Sequence, residues 1–181
     1  MNSASGAVMD ISIGGVSAGR LEFDLFGDVA PKTVENFRCL CTGEKGIGKL
    51  GKPLHYKGCS FHRIVSSCFC QGGDIIDGTG TGGESIYGPT LKDEPFTLSH
   101  SLPGLLSMAN SGKPNTANSQ FSIITFPQPQ SDGRHVVFGQ LAKGFDTLNM
   151  MEACHDASSG SVGTPTQAVI IEACGELPVE Q

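Results

Sequence analysis

The residues of this chain that could do chemistry are one cation and one amide, set among apolar neighbours. Arg63 follows Phe61 and His62, and Gln71 stands directly before two glycines. We find no catalytic serine, no acid pair and no metal-ligand spacing around them. A guanidinium and a carboxamide hold and polarise a substrate rather than cut it, because neither group is a nucleophile. Pairing with a surface carboxylate is the alternative role for Arg63.

The bulk composition indicates a single domain of 181 residues with a substantial core. The 25 glycines and the hydrophobic content of 38% favour short strands and turns over a helical bundle. A net charge of −6 argues against nucleic acid as a partner. No stretch approaches the roughly 20 apolar residues of a membrane helix. Residues 1–6 lack a signal-peptide pattern, so we expect a cytosolic protein.

The seven cysteines, an odd number without a secretion signal, indicate reduced thiols. Neither Cys39-x-Cys41 nor Cys68-x-Cys70 has the usual zinc spacing, and no histidine pair completes a set. We expect most of these thiols to be small buried hydrophobes.

The segment 78–83 has the form G-x-G-x-x-G of a dinucleotide fingerprint. That fingerprint works only where a strand precedes it and a helix begins beneath it. Residues 84–89 make a poor helix start, so we interpret the segment as a surface loop.

Alternating apolar and polar residues predict a hairpin of two strands, 9–13 and 21–25, around Gly14-Gly15. Pro31 begins a helical pattern that stops before Gly43, and a long loop follows over 43–58. Further strands are predicted at 61–65, 68–71, 105–109, 121–126, 136–139 and 169–174, with a second helix at 145–154. Short strands with two separated helices fit a closed barrel whose ends the helices cover.

The segments 61–64, 69–74, 106–110 and 119–121 together resemble the cyclophilins, which are peptidyl-prolyl cis/trans isomerases. The resemblance extends from about residue 8 to residue 175. It implies one domain over 1–181, built as a closed eight-stranded antiparallel β-barrel capped by two α-helices. It also implies a folding helper that needs no cofactor and acts on X-Pro bonds in peptides and unfolded proteins.

The resemblance assigns the catalytic role to Arg63. Amide resonance opposes rotation about an X-Pro bond by about 18–20 kcal/mol. A donor placed against the prolyl nitrogen favours the twisted amide over the planar one. In the family's pattern, the peptide groove is lined by the residues that here are His62, Cys68, Phe69, Gln71, Ala109, Asn110, Ser111, Gln120, Ser122, Phe126, Gln130 and His135.

The chain departs from the family's pattern in the proline pocket. Cys68 and Ser122 stand where phenylalanine is usual, and Gln130 stands where tryptophan is common. Burial of each large apolar side chain is worth about 1.5–3 kcal/mol, so we expect activity well below that of ordinary members. The absent tryptophan argues against tight binding of the drug cyclosporin. Phe126 shares a strand face with Ser122 and is a candidate to refill the space.

An insertion at 46–56 resembles the loop of the divergent-loop cyclophilins. In that subgroup a glutamate, here Glu84, is thought to hold the loop through backbone N–H groups. A cysteine pair, here Cys41 and Cys174, is thought to form a redox switch. Two packed thiols are the alternative, since a disulfide requires Cα atoms within about 7 Å.

Two functions therefore compete for this chain. It is either an isomerase or a module that binds proline-containing segments without turning them over, and a redox sensor is a third interpretation. Nothing in the sequence requires more than a monomer.

Overall fold

The computed structural model describes residues 5–178, which form eight β-strands and two α-helices. The strands are β1 (Ser5–Ile13), β2 (Val16–Leu25), β3 (Arg63–Val65), β4 (Phe69–Gly72), β5 (Leu105–Met108), β6 (Phe121–Ile124), β7 (Val137–Lys143) and β8 (Val169–Leu177). The α-helices are α1 (Pro31–Thr42) and α2 (Phe145–Glu152), and short 3-10 turns lie at Pro129–Ser131 and Ala157–Val162. The expectations for the two chain ends, residues 1–4 and 179–181, lie outside the described residues.

All eight strands belong to one antiparallel sheet in the order β3-β4-β6-β5-β7-β2-β1-β8, which confirms the eight antiparallel strands that the resemblance implied. The sheet curls toward a barrel, but the predicted closure is incomplete. The edge strands β3 and β8 share no ladder. Three backbone hydrogen bonds of 2.7–2.9 Å join the residues just before β3 to Val169 and Ile171 of β8. β3 is only three residues long, so it offers little backbone for a ladder with β8.

The hairpin of β1 and β2 shows why the alternating pattern was informative. Met9 lies opposite Leu21 and Ala7 lies opposite Phe23, and all four side chains are fully buried. Successive strand residues point to opposite faces, so the polar residues between them face outward. One face of the hairpin therefore forms part of the dry interior.

Helix α1 covers one end of the barrel, with Pro31 at its first position. Val34, Phe37 and Cys41 form an apolar stripe on one side of the helix and are buried, which confirms the predicted helical pattern. The Phe37 ring lies 5.1–6.1 Å, centroid to centroid, from four aromatic rings of the interior. Edge-on aromatic contacts at these distances add to the stabilisation by burial. Within residues 5–178, neither α1 nor the shorter α2 has the length and apolar content to cross a membrane.

Gly43 ends α1 in the left-handed conformation, with φ of 74°, and its N–H donates to the carbonyl of Cys39. A Cβ at this position would lie 2.8 Å from the His55 ring. Gly46 has nearly the same φ, 72°, but faces open space.

We therefore expect Gly46→Ala to lower the free energy of unfolding by about 1 kcal/mol, the cost of the left-handed backbone. Gly43→Ala should cost about 1 kcal/mol more, because the His55 ring must also move. Urea denaturation of the two variants measures the difference. Equal losses would show that the His55 contact carries no energetic penalty.

Candidate active site

A first cavity, of about 170 Å³, lies on the outer face of strands β4, β6 and β5. A single water needs roughly 10–15 Å³ on this measure, so the cavity has room for a small ring. Its lining residues are Arg63, Phe69, Gln71, His100, Ser107, Met108, Ala109, Asn110, Ser122, Ile124, Gln128, Ser131 and His135. Nine of these thirteen residues have polar side chains, so the lining is mainly hydrophilic.

Strand register places four of these side chains in one row. Arg63 lies opposite Gln71, Gln71 lies opposite Ser122, and Ser122 lies opposite Ser107. Directly opposed residues have Cβ atoms about 4.5–5.5 Å apart, so the row crosses β3, β4, β6 and β5 without a break. Their chain neighbours face the core; Leu106 is fully buried there. We call these four residues the polar row.

The cation of the polar row is held in place. Nε and Nη2 of Arg63 donate to the carbonyl of Ser161 at 3.1 and 2.8 Å. The guanidinium carbon lies 4.9 Å from the centroid of the Phe69 ring, a cation–π distance. Within residues 5–178 Arg63 forms no ion pair with a carboxylate, and its Nη1 has no acceptor. The guanidinium therefore borders the cavity with unused N–H donors.

The amide of Gln71 is linked to a second amide. Its Nε2 donates to Oε1 of Gln120 at 3.0 Å. Nε2 of Gln120 donates in turn to the carbonyls of Gly80 and Gly82, at 2.9 and 2.6 Å. These contacts fix both amides and leave Oε1 of Gln71 free to accept a hydrogen bond.

The glycine-rich segment 78–83 forms a loop beside the cavity, and no helix follows it. The buried carboxylate of Asp74 accepts four backbone N–H bonds of 2.8–3.0 Å along residues 76–82. Burial opposes the ionisation of Asp74, but these N–H bonds hold its pKa below the usual value. A second hollow of about 160 Å³ lies between this loop and the first cavity, and Gln71, Ala109, Asn110, Ser111 and Gln120 are part of its wall.

Asp132, His100 and Ser107 form a hydrogen-bonded chain beneath the floor of the first cavity. This chain was not predicted from the sequence. Nδ1 of His100 lies 2.8 Å from Oδ1 of Asp132, and Nε2 lies 2.8 Å from Oγ of Ser107. Burial lowers the pKa of His100, outweighing the opposite effect of Asp132, so the imidazole is neutral at neutral pH. The order of the groups is that of serine hydrolases. Ser107, however, lies inside an extended strand paired on both sides, whereas the nucleophile of such an enzyme is presented on a sharp turn at the end of a strand.

Asn110 and His135 form the far rim of the cavity. Nδ2 of Asn110 donates to the carbonyl of Arg134 at 2.9 Å. Nδ1 of His135 lies 2.8 Å from the carbonyl of Met108 and must therefore donate to it, because a carbonyl only accepts. Nε2 of His135 is then left as an acceptor.

Four of the residues proposed for the groove do not line either hollow. Phe126 is 56% exposed, so it does not refill the space beside Ser122. Gln130 is exposed on its 3-10 turn, and Gln128, only 6% exposed, lines the cavity instead. The backbone carbonyl of Cys68 contacts the cavity wall, where it accepts a hydrogen bond from Nε2 of Gln128. His62 is half-buried against Gly80, and its Nδ1 has no partner.

Six residues of the cavity wall were not proposed from the sequence: His100, Ser107, Met108, Ile124, Gln128 and Ser131. Ser107 carried a usable signal, because it interrupts an apolar strand between Leu106 and Met108. Gln128 and Ser131 lie in an irregular segment, where no periodicity indicates which side chain points inward.

A buried carboxylate holds the loop 46–56. Glu84 is 2% exposed, and its carboxylate accepts from the backbone N–H groups of Lys49 and Leu50, at 2.7 and 3.3 Å. Cys41 is fully buried, Cys174 is half-buried, and both are free thiols. Burial raises the pKa of Cys174 to about 11 and that of Cys41 well above its ordinary value. No group of three or more His, Cys, Asp or Glu in residues 5–178 is placed to hold a metal ion.

Comparison with known families yields one match that spans nearly the whole chain. The family model described as cyclophilin type peptidyl-prolyl cis-trans isomerase/CLD matches residues 8–176.

The neutral state of His100 predicts a pH dependence of stability. Because its pKa in the folded protein lies below the ordinary value of 6.5, the unfolded chain takes up the proton first on acidification. Its contribution to stability is complete above about pH 6.5 and declines as the pH falls toward the folded pKa.

We expect the free energy of unfolding, measured by urea denaturation between pH 7 and pH 5, to fall less steeply in His100→Gln than in the parent protein. The slope should not vanish, because burial also lowers the pKa of His62. An unchanged slope in His100→Gln would contradict the assignment of this proton uptake to His100.

Proposed function

The chain belongs to the family of cyclophilin-type peptidyl-prolyl cis-trans isomerases, and we propose that it isomerises X-Pro bonds in the cavity beside Arg63. One observation supports the cavity beside Arg63 as the site of isomerisation. A guanidinium with unused N–H donors is held rigidly at the edge of a hollow with room for a small ring.

The chemistry follows from the change in the prolyl nitrogen during rotation. In the planar amide its lone pair is delocalised into the carbonyl, and in the twisted amide it is localised and accepts a hydrogen bond. A donor such as Nη1 of Arg63 stabilises only the twisted form, which lowers the barrier without a covalent step. The Ser161 and Phe69 contacts stabilise the position of the cation, so little reorganisation is needed when the bond turns.

The remaining polar groups hold the peptide around the proline. Oε1 of Gln71 can accept a backbone N–H, and Ala109 and Asn110 line both hollows, as an extended segment crossing the face would require. The partners we propose are accordingly proline-containing peptides and unfolded proteins. A cytosolic location and a monomeric state remain predictions of the sequence.

We further propose that turnover of plain prolyl peptides is slow compared with ordinary members. Ser122 supplies a hydroxyl where an aromatic ring would cover the cavity floor, and Phe126 does not compensate. One missing apolar wall is worth about 1.5–3 kcal/mol, or roughly ten- to a hundredfold in binding. The same polar lining favours the second candidate function, a module that binds such segments without turning them over.

Arg63→Ala should reduce the catalysed cis/trans exchange of an Ala-Pro peptide by about 10²- to 10³-fold, the range found when one transition-state donor is removed. Magnetisation-exchange NMR measures this rate directly. Arg20→Ala is the matched control, because Arg20 is an exposed arginine paired with Asp10 on the β1–β2 hairpin. It should retain the parent rate.

The same NMR measurement on the parent protein separates the two candidate functions. A pure binding module would shift the resonances of the peptide and leave its exchange rate at the uncatalysed value. That outcome for the parent protein would refute isomerisation in this cavity and leave the binding function.

We also propose that the loop 46–56 is of the divergent-loop type, a proposal that the Glu84 contacts support. For Cys41 and Cys174, burial supports packed thiols over a switch, because the reactive thiolate is scarce when the pKa is high.

Both thiols should therefore remain titratable after exposure of the folded protein to a mild oxidant at pH 7, when they are counted in denaturant. Cys174→Ser provides the reference count for one missing thiol. Loss of two thiols together, with a Cys41–Cys174 peptide found under non-reducing conditions, would instead establish the switch.

A further inference from the structure

We propose that the cavity prefers prolyl residues that carry a hydroxyl on the ring, as in 4-hydroxyproline, over plain proline. This inference rests on the proposed function, because it places the prolyl ring in the cavity beside Arg63. It concerns the substrate class: the polar floor is a recognition surface rather than a damaged apolar one.

The floor of the cavity is built from two opposed serines of the polar row. Ser107 and Ser122 are direct partners in the β5–β6 ladder, with both side chains on the cavity side. Leu106 and Ile123, the neighbouring pair, are fully buried on the core side. A ring that enters the cavity therefore meets two hydroxyl groups where an apolar wall would suit plain proline.

The hydrogen bonds already made determine what each hydroxyl still offers. Asp132 is a carboxylate beside Nδ1 of His100, so Nδ1 carries the proton and Nε2 is an acceptor. The Ser107 hydroxyl must then donate to Nε2, which leaves only its lone pairs for a ligand. Within residues 5–178 the Ser122 hydroxyl has no hydrogen-bond partner, so it remains both a donor and an acceptor.

A hydroxylated ring complements this arrangement. Its O–H can donate to Ser107, and its oxygen can accept from Ser122. Plain proline would cover both serines without forming these hydrogen bonds, which carries a free-energy cost. One net hydrogen bond between neutral groups corresponds to a preference of roughly 3- to 10-fold.

The test compares three peptides that differ only at the prolyl ring: Ala-Pro, Ala-(4-hydroxyproline) and Ala-(4-fluoroproline), with both ring epimers of the substituted forms. Fluorine withdraws electrons and biases the ring pucker as the hydroxyl does, but it has no proton to donate. After subtraction of each peptide's uncatalysed exchange, we expect kcat/KM for one hydroxyproline epimer to exceed that for proline and for its fluoro counterpart by roughly 3- to 10-fold.

Substitutions at Ser122 test whether the cavity floor causes the preference for hydroxyproline. Ser122→Ala should abolish the advantage of hydroxyproline, and Ser122→Phe should reverse it by favouring the plain ring. Ser17→Ala, an exposed serine on β2 outside both hollows, should keep the parent preference.

The outcomes separate this inference from the proposed function. Equal kcat/KM for the plain and hydroxylated rings, or a preference that survives Ser122→Ala, overturns the inference and leaves the isomerase intact. If no peptide is turned over, the proposed function fails. The Kd values of the same peptides, measured by NMR titration of their resonances, then decide the inference. Tighter binding of hydroxyproline then supports it, and equal binding overturns it.

Discussion

The constraint on which the site depends is the register of four short strands. Because β3, β4, β6 and β5 are aligned residue against residue, Arg63, Gln71, Ser122 and Ser107 stand side by side on one face. A shift of one residue in any pair would turn that strand's contribution into the core. Packing of the opposite face prevents such a shift, since Ile64, Leu106 and Ile123 are fully buried there. The aromatic interior thus determines where the chemistry occurs, although none of its side chains reaches the cavity.

Loops complete the site, and carboxylates hold them: Asp74 and Glu84 are buried, and Asp132 is exposed. Asp74 gathers four N–H groups of the segment that supports Gln120, and Glu84 gathers two from the inserted loop. Asp132 holds the His100 ring beneath the floor. Charge-assisted bonds of this kind are stronger than neutral ones, so irregular backbone is kept in a single conformation around a site that needs fixed distances.

Much of this could be predicted from the sequence, for reasons that differ between regions. Alternation in β1 and β2 and the 3.6-residue stripe of α1 are local patterns, and both emerged as expected. Arg63, Gln71 and His135 were proposed from the family resemblance, and all three line the first cavity. Gln130, by contrast, is exposed while Gln128 turns inward, because a 3-10 turn has no face that periodicity reveals. The Asp132–His100–Ser107 chain joins residues far apart in sequence, and only the folded sheet brings them within hydrogen-bonding distance.

The incomplete closure of the barrel has a mechanical consequence. Arg63 begins β3, an edge strand with one laddered neighbour, whereas Ser107 and Ser122 belong to strands paired on both sides. Backbone pairing alone therefore holds Arg63 less firmly than the floor, and its contacts with Ser161 and Phe69 make up the difference. As an imide rotates, the carbonyl group of the residue before proline sweeps along an arc, while the prolyl nitrogen, a ring atom on the rotation axis, stays with the seated ring. A guanidinium fixed by its contacts with Ser161 and Phe69 therefore stays aligned with that nitrogen throughout the rotation.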